Sequence, residues 1–225
     1  MNTEIENIIK NIKFNKPLLT EEELKKQEQE RLSHEELRKA QQRYNEAEVP
    51  TLFRENSQNL VLDGDWGRKL EELKGKLGEG ALLLLIGTPG TGKTQMAVEL
   101  LRYAVTCKGK TGMFAVSTDI KMTLKSTFGG SGEAEYTRKL TKRGVLVIDE
   151  IDWFFGNKDA ATEDYWTGVF YHIINSRYNY RLDTILTSNR TKDALTALLP
   201  EPVWGRISET GGVVRMENWT NWRVR

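Results

Sequence analysis

The chain has 225 residues, room for one sizeable core plus an appendage, and its 33 Lys and Arg against 32 Asp and Glu leave a net charge of +1. So even a balance gives no global basic field, and any nucleic-acid contact has to come from a local patch. A single cysteine, Cys107, excludes an internal disulfide and a cysteine-rich zinc site; with only His34 and His172 besides, no structural metal is expected, and no apolar stretch is long enough to cross a bilayer, so the expectation is a soluble, cytoplasmic protein.

In chain order, Ile5, Ile8, Ile9 and Ile12 have the i, i+3, i+4, i+7 spacing of a short helix with an apolar stripe. The stripe fits a helix docked on the chain's own core and a helix offered to a partner equally well. From Thr20 to Glu48 the sequence is dominated by Glu, Lys, Gln and Arg, with capping boxes at Thr20 (with Glu23) and Ser33 (with Glu36), before Pro50 closes the stretch. Residues 1–49 therefore read as a charged helical arm, poorly buried, and residues 50–225 as the folded domain.

After Pro50 strands and helices alternate. A helix is predicted over 66–77, ended by Gly78, then a strand over 81–86 and a helix to about 107. A strand over 112–116 is followed by helices over 119–128 and 133–142, which Gly129-Gly130-Ser131-Gly132 separates. Next come a strand over 145–148, a helix over 163–177 and strands over 182–187 and 212–216. Short, uniformly apolar strands between helices predict a five-stranded parallel sheet covered on both faces. A ligand then belongs at the carboxyl ends of the strands.

The most specific motif is Gly87-Thr88-Pro89-Gly90-Thr91-Gly92-Lys93-Thr94, set between the apolar strand and the helix that Gln95 continues. A nucleoside triphosphate carries dense negative charge, and glycines at 87, 90 and 92 let backbone N–H groups approach it closely while the helix N-terminus points at the phosphates. Residues 87 to 95 are thus the cofactor-binding candidates for ATP. Lys93, expected to be exposed on the loop, reaches the β- and γ-phosphates, and the Thr94 hydroxyl is placed to coordinate Mg²⁺. The strand Val145-Leu146-Val147-Ile148 delivers Asp149 and Glu150 to the same edge. Asp149 suits Mg²⁺, usually through a water, and Glu150 suits the water that attacks the γ-phosphate, a pairing that favours hydrolysis over group transfer. Asn189, at the end of Thr184-Ile185-Leu186-Thr187-Ser188, can sense the γ-phosphate or the lytic water, with a helix N-cap as its alternative or additional role.

Together these residues resemble the AAA+ helicase loaders of the DnaC type and their relatives, the IstB-type transposition helper ATPases, over roughly residues 50–223. The resemblance rests on the P-loop, on Thr118-Asp119-Ile120-Lys121 with Ser126-Thr127-Phe128, on Val147-Ile148-Asp149-Glu150-Ile151, on Leu186-Thr187-Ser188-Asn189, on Gly205-Arg206-Ile207 and on Trp219-Thr220-Asn221-Trp222-Arg223. It implies an α/β AAA+ P-loop core without a C-terminal helical lid, ATP-dependent homo-oligomers, and placement of a hexameric DnaB-type replicative helicase on single-stranded DNA, the helicase being held by the N-terminal arm. It also implies that Lys121, Lys125, Phe128 and Tyr165 contact DNA through phosphate neutralisation and base stacking, while the residues themselves fit a solvated lysine pair and a core Phe equally well. By the same resemblance Arg206 is an arginine finger that reaches a neighbouring subunit's ATP site, although Trp204-Gly205 precedes it where the family usually carries Ser or Asp. Arg223 has no assigned role. The other readings are an IstB-type ATPase helper of a DNA transposase and a nucleotide-gated adaptor with negligible hydrolysis.

Overall fold

A computed structural model describes residues 20–60, 64–156 and 159–216. The isoleucine stripe at residues 5–12 and the motif at residues 219–223 lie outside the described residues. The chain divides into two compact units, residues 1–38 and 39–225.

The described part of the first unit belongs to helix α1 (Glu21–Asn45). The Thr20 box forms: the Glu23 carboxylate accepts from the Thr20 N–H at 2.8 Å, and the Thr20 hydroxyl accepts from the Glu23 N–H at 3.3 Å. The Ser33–Glu36 pair starts no second helix, because α1 runs through it without a break. Leu24, Leu32 and Leu37 stand exposed on this charged helix.

The second unit begins before Pro50. Tyr44, Ala47 and Val49 belong to a buried apolar cluster, and the Ala47 carbonyl accepts from the Phe114 N–H at 2.8 Å on the strand at the sheet edge. That contact satisfies an edge-strand donor with residues the sequence reading assigned to the arm, so the folded domain starts about ten residues earlier than Pro50 marks. The remaining elements are α2 (Thr51–Gln58), α3 (Gly64–Lys74), β1 (Leu82–Ile86), α4 (Lys93–Thr106), β2 (Gly112–Val116), α5 (Ser117–Ser126), α6 (Ser131–Lys142), β3 (Val145–Asp149), a 3-10 turn (Ile151–Phe154), α7 (Ala160–Asn179), β4 (Asp183–Ser188), α8 (Lys192–Thr196), α9 (Glu201–Thr210) and β5 (Gly212–Arg215). The sequence expectation gave no ranges for α2, α8 and α9, although an N-cap at Asn189 would have opened a helix near α8. Helices α2 and α9 follow Pro50 and Pro200 and have no side-chain cap, so the usual start signal is missing, and α8 is only five residues long.

The five described strands are parallel in the order β2-β3-β4-β1-β5. Alternate strand residues feed opposite layers. Leu83, Leu85, Val145, Val147 and Ile185 pack with α3 and α4, whereas Leu84, Ile86, Leu146, Ile148 and Leu186 pack with α5, α6, α7 and α9. Because β1 lies between β4 and β5 while the chain leaving it crosses to β2 at the far edge, the carboxyl ends of β1, β4 and β3 open side by side.

One buried charge ties the second layer to the sheet. The Arg177 guanidinium on α7 is fully buried and donates to the carbonyls of Leu140, Arg143 and Asp183 and to the Thr184 hydroxyl. Burial pushes its pKa down to about 9, so it stays charged at neutral pH, with the nearby Asp183 carboxylate opposing the shift. Asp183 in turn accepts from the backbone N–H groups of Gly78, Gly80 and Ala81, fixing the approach to β1.

Candidate ATP site

The glycine-rich loop joins β1 to the N-terminus of α4. Gly92 is the residue before α4 with φ +83°, a left-handed conformation that disfavours any side chain, and a Cβ at Gly87 would stand 2.7 Å from the Met216 carbonyl. The Thr91 hydroxyl donates to the Thr88 carbonyl at 2.9 Å and tightens the loop. Lys93 differs from its expectation: it is the first residue of α4, only 6% exposed, and its ammonium donates to the carbonyls of Gly87 and Thr88 at 2.8 Å each. The loop wraps back over the side chain, which desolvates it while supplying acceptors. Pro89, Gly90, Gly92, Lys93, Thr94, Gln95, Glu150, Thr187 and Asn189 line one cleft of about 340 Å³.

At the end of β3, Asp149 is buried and takes two hydroxyl donors. The Thr94 Oγ1 lies 3.0 Å from Asp149 Oδ1 and 3.2 Å from Oδ2, and the Thr187 hydroxyl also donates to Oδ1. Burial pushes the Asp149 carboxyl above its ordinary range, the Thr187 and Thr94 hydroxyls pull it back, and the neighbouring Glu150 pushes it up further. This donor set, a carboxylate and a hydroxyl with no nitrogen or sulfur, fits Mg²⁺, which takes hard oxygen ligands and shares them with a substrate's phosphates. When bound, the metal supplies charge neutralisation at the β- and γ-phosphate oxygens. The chain itself holds Thr94 and Asp149 together, and Glu150 follows Asp149 at the lining of the same cleft.

Glu150 is half-buried and has φ +55°, a left-handed backbone unusual outside glycine and of the kind found at functional sites. Its N–H donates to the Thr187 hydroxyl at 3.0 Å. Asn189 reaches the same cleft, and its position is set by a residue the sequence reading passed over. Asp152, in the 3-10 turn, accepts from the Ser188 hydroxyl at 2.5 Å and from the Asn189 N–H at 2.9 Å. Asn189 is not the N-cap of α8: that role falls to Thr191, whose hydroxyl accepts from the Ala194 N–H. Gln95 adds a contact invisible in the motif, donating to the Phe53 carbonyl at 3.2 Å and the Ser57 hydroxyl at 3.1 Å, so the helix that opens at the phosphates also holds α2.

The other candidates stand apart from this cleft. Lys121 and Lys125 lie on one face of α5 with their ammonium groups 5.1 Å and 5.7 Å from the centre of the Trp166 ring, and Tyr165 meets the same ring edge-on at 4.8 Å. Burial, then the nearby Lys125 charge, lowers the Lys121 pKa, opposed by Glu163. Phe128 is 71% exposed just beyond α5 and so is not a core residue. Arg206, on α9, lies between Tyr171 and Tyr178, 5.3 Å and 5.0 Å from their ring centres, and donates to Asn175 at 2.6 Å. It does not line the cleft of its own chain.

Residues 17–204 match the family of IstB-like ATP binding proteins. The chain belongs to the IstB-like ATP-binding family. Among curated relatives it is 28% identical over 159 residues to the replicative helicase loader DnaC of Escherichia coli K12, which covers 69% of this chain and 60% of DnaC. It is 30% identical over 108 residues to an IS21 insertion-sequence ATP-binding protein of Pseudomonas aeruginosa, covering 48% of this chain and 38% of the relative. The chain thus spans less than two thirds of the length of either. Among solved structures, a DnaC helicase loader superposes with TM-score 0.58 at 24% identity over 69% of this chain and 90% of that one. A DNA replication initiation factor gives TM-score 0.59 at 20% identity over 74% and 50%. The fold is accordingly that of AAA+ P-loop proteins. In this IstB-like chain the cradle, Asp149, Glu150 and Asn189 all fall inside the matched span, and Arg206 lies two residues beyond it. No helix among the described residues is long and apolar enough to cross a membrane.

Proposed function

We propose that the chain hydrolyses ATP at this cleft and uses the nucleotide cycle to place a hexameric, DnaB-type replicative helicase on single-stranded DNA. The observation that carries the ATPase half is the convergence of Lys93, Thr94, Asp149, Glu150 and Asn189 on one cleft. In it, Lys93 and the α4 N-terminus bind phosphate, Thr94 and Asp149 hold Mg²⁺, Glu150 polarises water, and Asn189 reads the γ-phosphate end. The loader half is supported by the similarity to DnaC, by the Trp166 ring around which Lys121, Lys125 and Tyr165 gather, and by the exposure of Phe128 just beyond α5. Single-stranded DNA is expected to bind more tightly with ATP than without it and more weakly as salt rises. Equal affinity for duplex and single strand counts against the loader. The family match favours a second reading, an ATPase helper of a DNA transposase using the same site.

Partner recognition belongs to the N-terminal arm in this proposal, supported by exposed Leu24, Leu32 and Leu37 on a charged helix. Because Tyr44 and Ala47 are part of the domain core, the informative truncation removes residues 1–38 and spares them. That protein is expected to bind ATP normally and to lose co-elution with the helicase in size-exclusion chromatography. Retained co-elution removes the arm from the interface, and capture of a transposase by the full chain selects the second reading.

Arg206 acts in trans in the proposal, leaving the Tyr171–Tyr178 clamp to meet a neighbour's γ-phosphate. Arg206→Ala is expected to leave ATP binding intact and to lower turnover about tenfold or more, since a finger acts on the transition state. Mixed with Lys93→Ala, it is expected to regain turnover at interfaces that join an intact cleft to an intact finger. Heteromers that form and stay inactive remove the trans role.

A further inference from the structure

Thr187 sits in β4, 1% exposed, within a run that folding alone explains: Ile185 and Leu186 are buried on opposite faces of the sheet, and a β-branched residue suits the next position. Valine would serve the strand as well as threonine. What threonine adds is one hydroxyl, with one proton and two lone pairs. The proton goes to Asp149 Oδ1, and a lone pair receives the Glu150 N–H at 3.0 Å. The last paired residues of β3 and β4 are Ile148 and Leu186, so the backbone ladder has ended where these contacts begin. A side-chain hydroxyl takes over from a ladder carbonyl at the point where φ turns to +55° and the chain leaves the strand.

The far side of Asp149 is already secured. It pairs with Val116 of β2, and its carbonyl accepts from the Ser117 hydroxyl at 3.0 Å. Those contacts hold the Asp149 backbone and leave its carboxylate to Thr94 and Thr187. Thr94 stands in the first turn of α4, so Thr187 is the donor to this carboxylate that comes from the sheet itself.

We propose that Thr187 is a positioning residue for ATP hydrolysis, its single hydroxyl aiming the metal-binding carboxylate of Asp149 and holding the backbone turn that presents Glu150. The proposal deepens the ATPase reading and rests on it. It names a link absent from the P-loop and acidic-pair motifs, in which the two carboxylates are registered against each other through the neighbouring strand. Support of this kind around a metal ligand commonly affects metal affinity or activity by about 10- to 100-fold.

The test compares the full chain with Thr187→Val and Thr187→Ser. ATP affinity is measured by titration with Mg²⁺ and with excess chelator, and turnover by phosphate release. Thr187→Val is expected to keep the metal-free ATP affinity, to lose about tenfold of the gain in affinity that Mg²⁺ brings, and to drop in kcat by about 10- to 100-fold. Thr187→Ser, which keeps the hydroxyl, is expected to recover both. Wild-type Mg²⁺ dependence together with wild-type kcat in Thr187→Val overturns the proposal. So does a loss that serine fails to restore, and so does an equal loss of metal-free binding, which marks a damaged strand. A wild-type protein that binds Mg·ATP without turning it over sinks the hydrolysis reading separately, and the Mg²⁺ dependence of binding then judges Thr187 alone.

Discussion

Lys93→Ala is expected to weaken ATP binding by about 100-fold while the domain stays folded, because hydrogen bonds from a charged donor contribute roughly 1.5–3 kcal/mol each and Lys93 is placed to make more than one with the phosphates. The structure sharpens the expectation in two ways. The ammonium already sits at the loop, with two of its three N–H donors on the Gly87 and Thr88 carbonyls, and it exchanges those contacts for phosphate oxygens when ATP arrives. The side chain is buried, donates to the loop's own carbonyls and lies outside both apolar clusters. Alanine at the first position of α4 is a good helix former, and the two carbonyls it frees belong to the loop that faces the cleft. Nucleotide titration beside a thermal melt checks this: unchanged ATP affinity in a folded variant removes Lys93 from the site.

Glu150→Gln is expected to separate binding from chemistry. It should retain Mg·ATP and lose about 10²- to 10⁴-fold in hydrolysis, the range a positioned base contributes. Glutamine has the same shape and adopts the same left-handed backbone at the same cost, and the Glu150 N–H bond to Thr187 does not involve the side chain. The Thr94 and Asp149 contacts also persist, so the residues proposed to hold metal are untouched. Single-turnover phosphate release is the measurement. A variant that hydrolyses at the wild-type rate removes the water-orienting role and, with it, the main argument for hydrolysis over nucleotide-gated binding.

Much of this was legible in advance because the chemistry is local. A phosphate cradle needs glycines at set spacings followed by Lys and Thr, all within eight residues, and the apolar runs on either side announce the strand and helix that aim it. The strands were readable for the same reason: 82–86 and 145–148 are uninterrupted aliphatic runs, which only a sheet covered on both faces makes comfortable. Where the reading slipped, the deciding contact was distant. The boundary at Pro50 followed a change in local composition, whereas Ala47 is claimed by a hydrogen bond to Phe114, far along the chain. Ser33 carries a capping pattern, but the helix through it is continuous, and a hydroxyl caps only where a helix begins.

The sequence by itself pointed to a nucleotide-binding family, the parallel sheet and the residues that gather at one cleft, because those depend on backbone freedom, charge and period over a few positions. The tertiary structure alone decided how they are held. Thr187 reads as one more β-branched strand residue, Asp152 as one more acid after Asp149 and Glu150, and Arg177 as an ordinary helix arginine. Each acquires its role from partners on another element: Asp149 and Glu150 for Thr187, the Ser188–Asn189 strand end for Asp152, and three backbone carbonyls for Arg177. A buried polar group must find its partner somewhere, and where it finds it depends on strand order, which brings β4 between β1 and β3 and so closes the site.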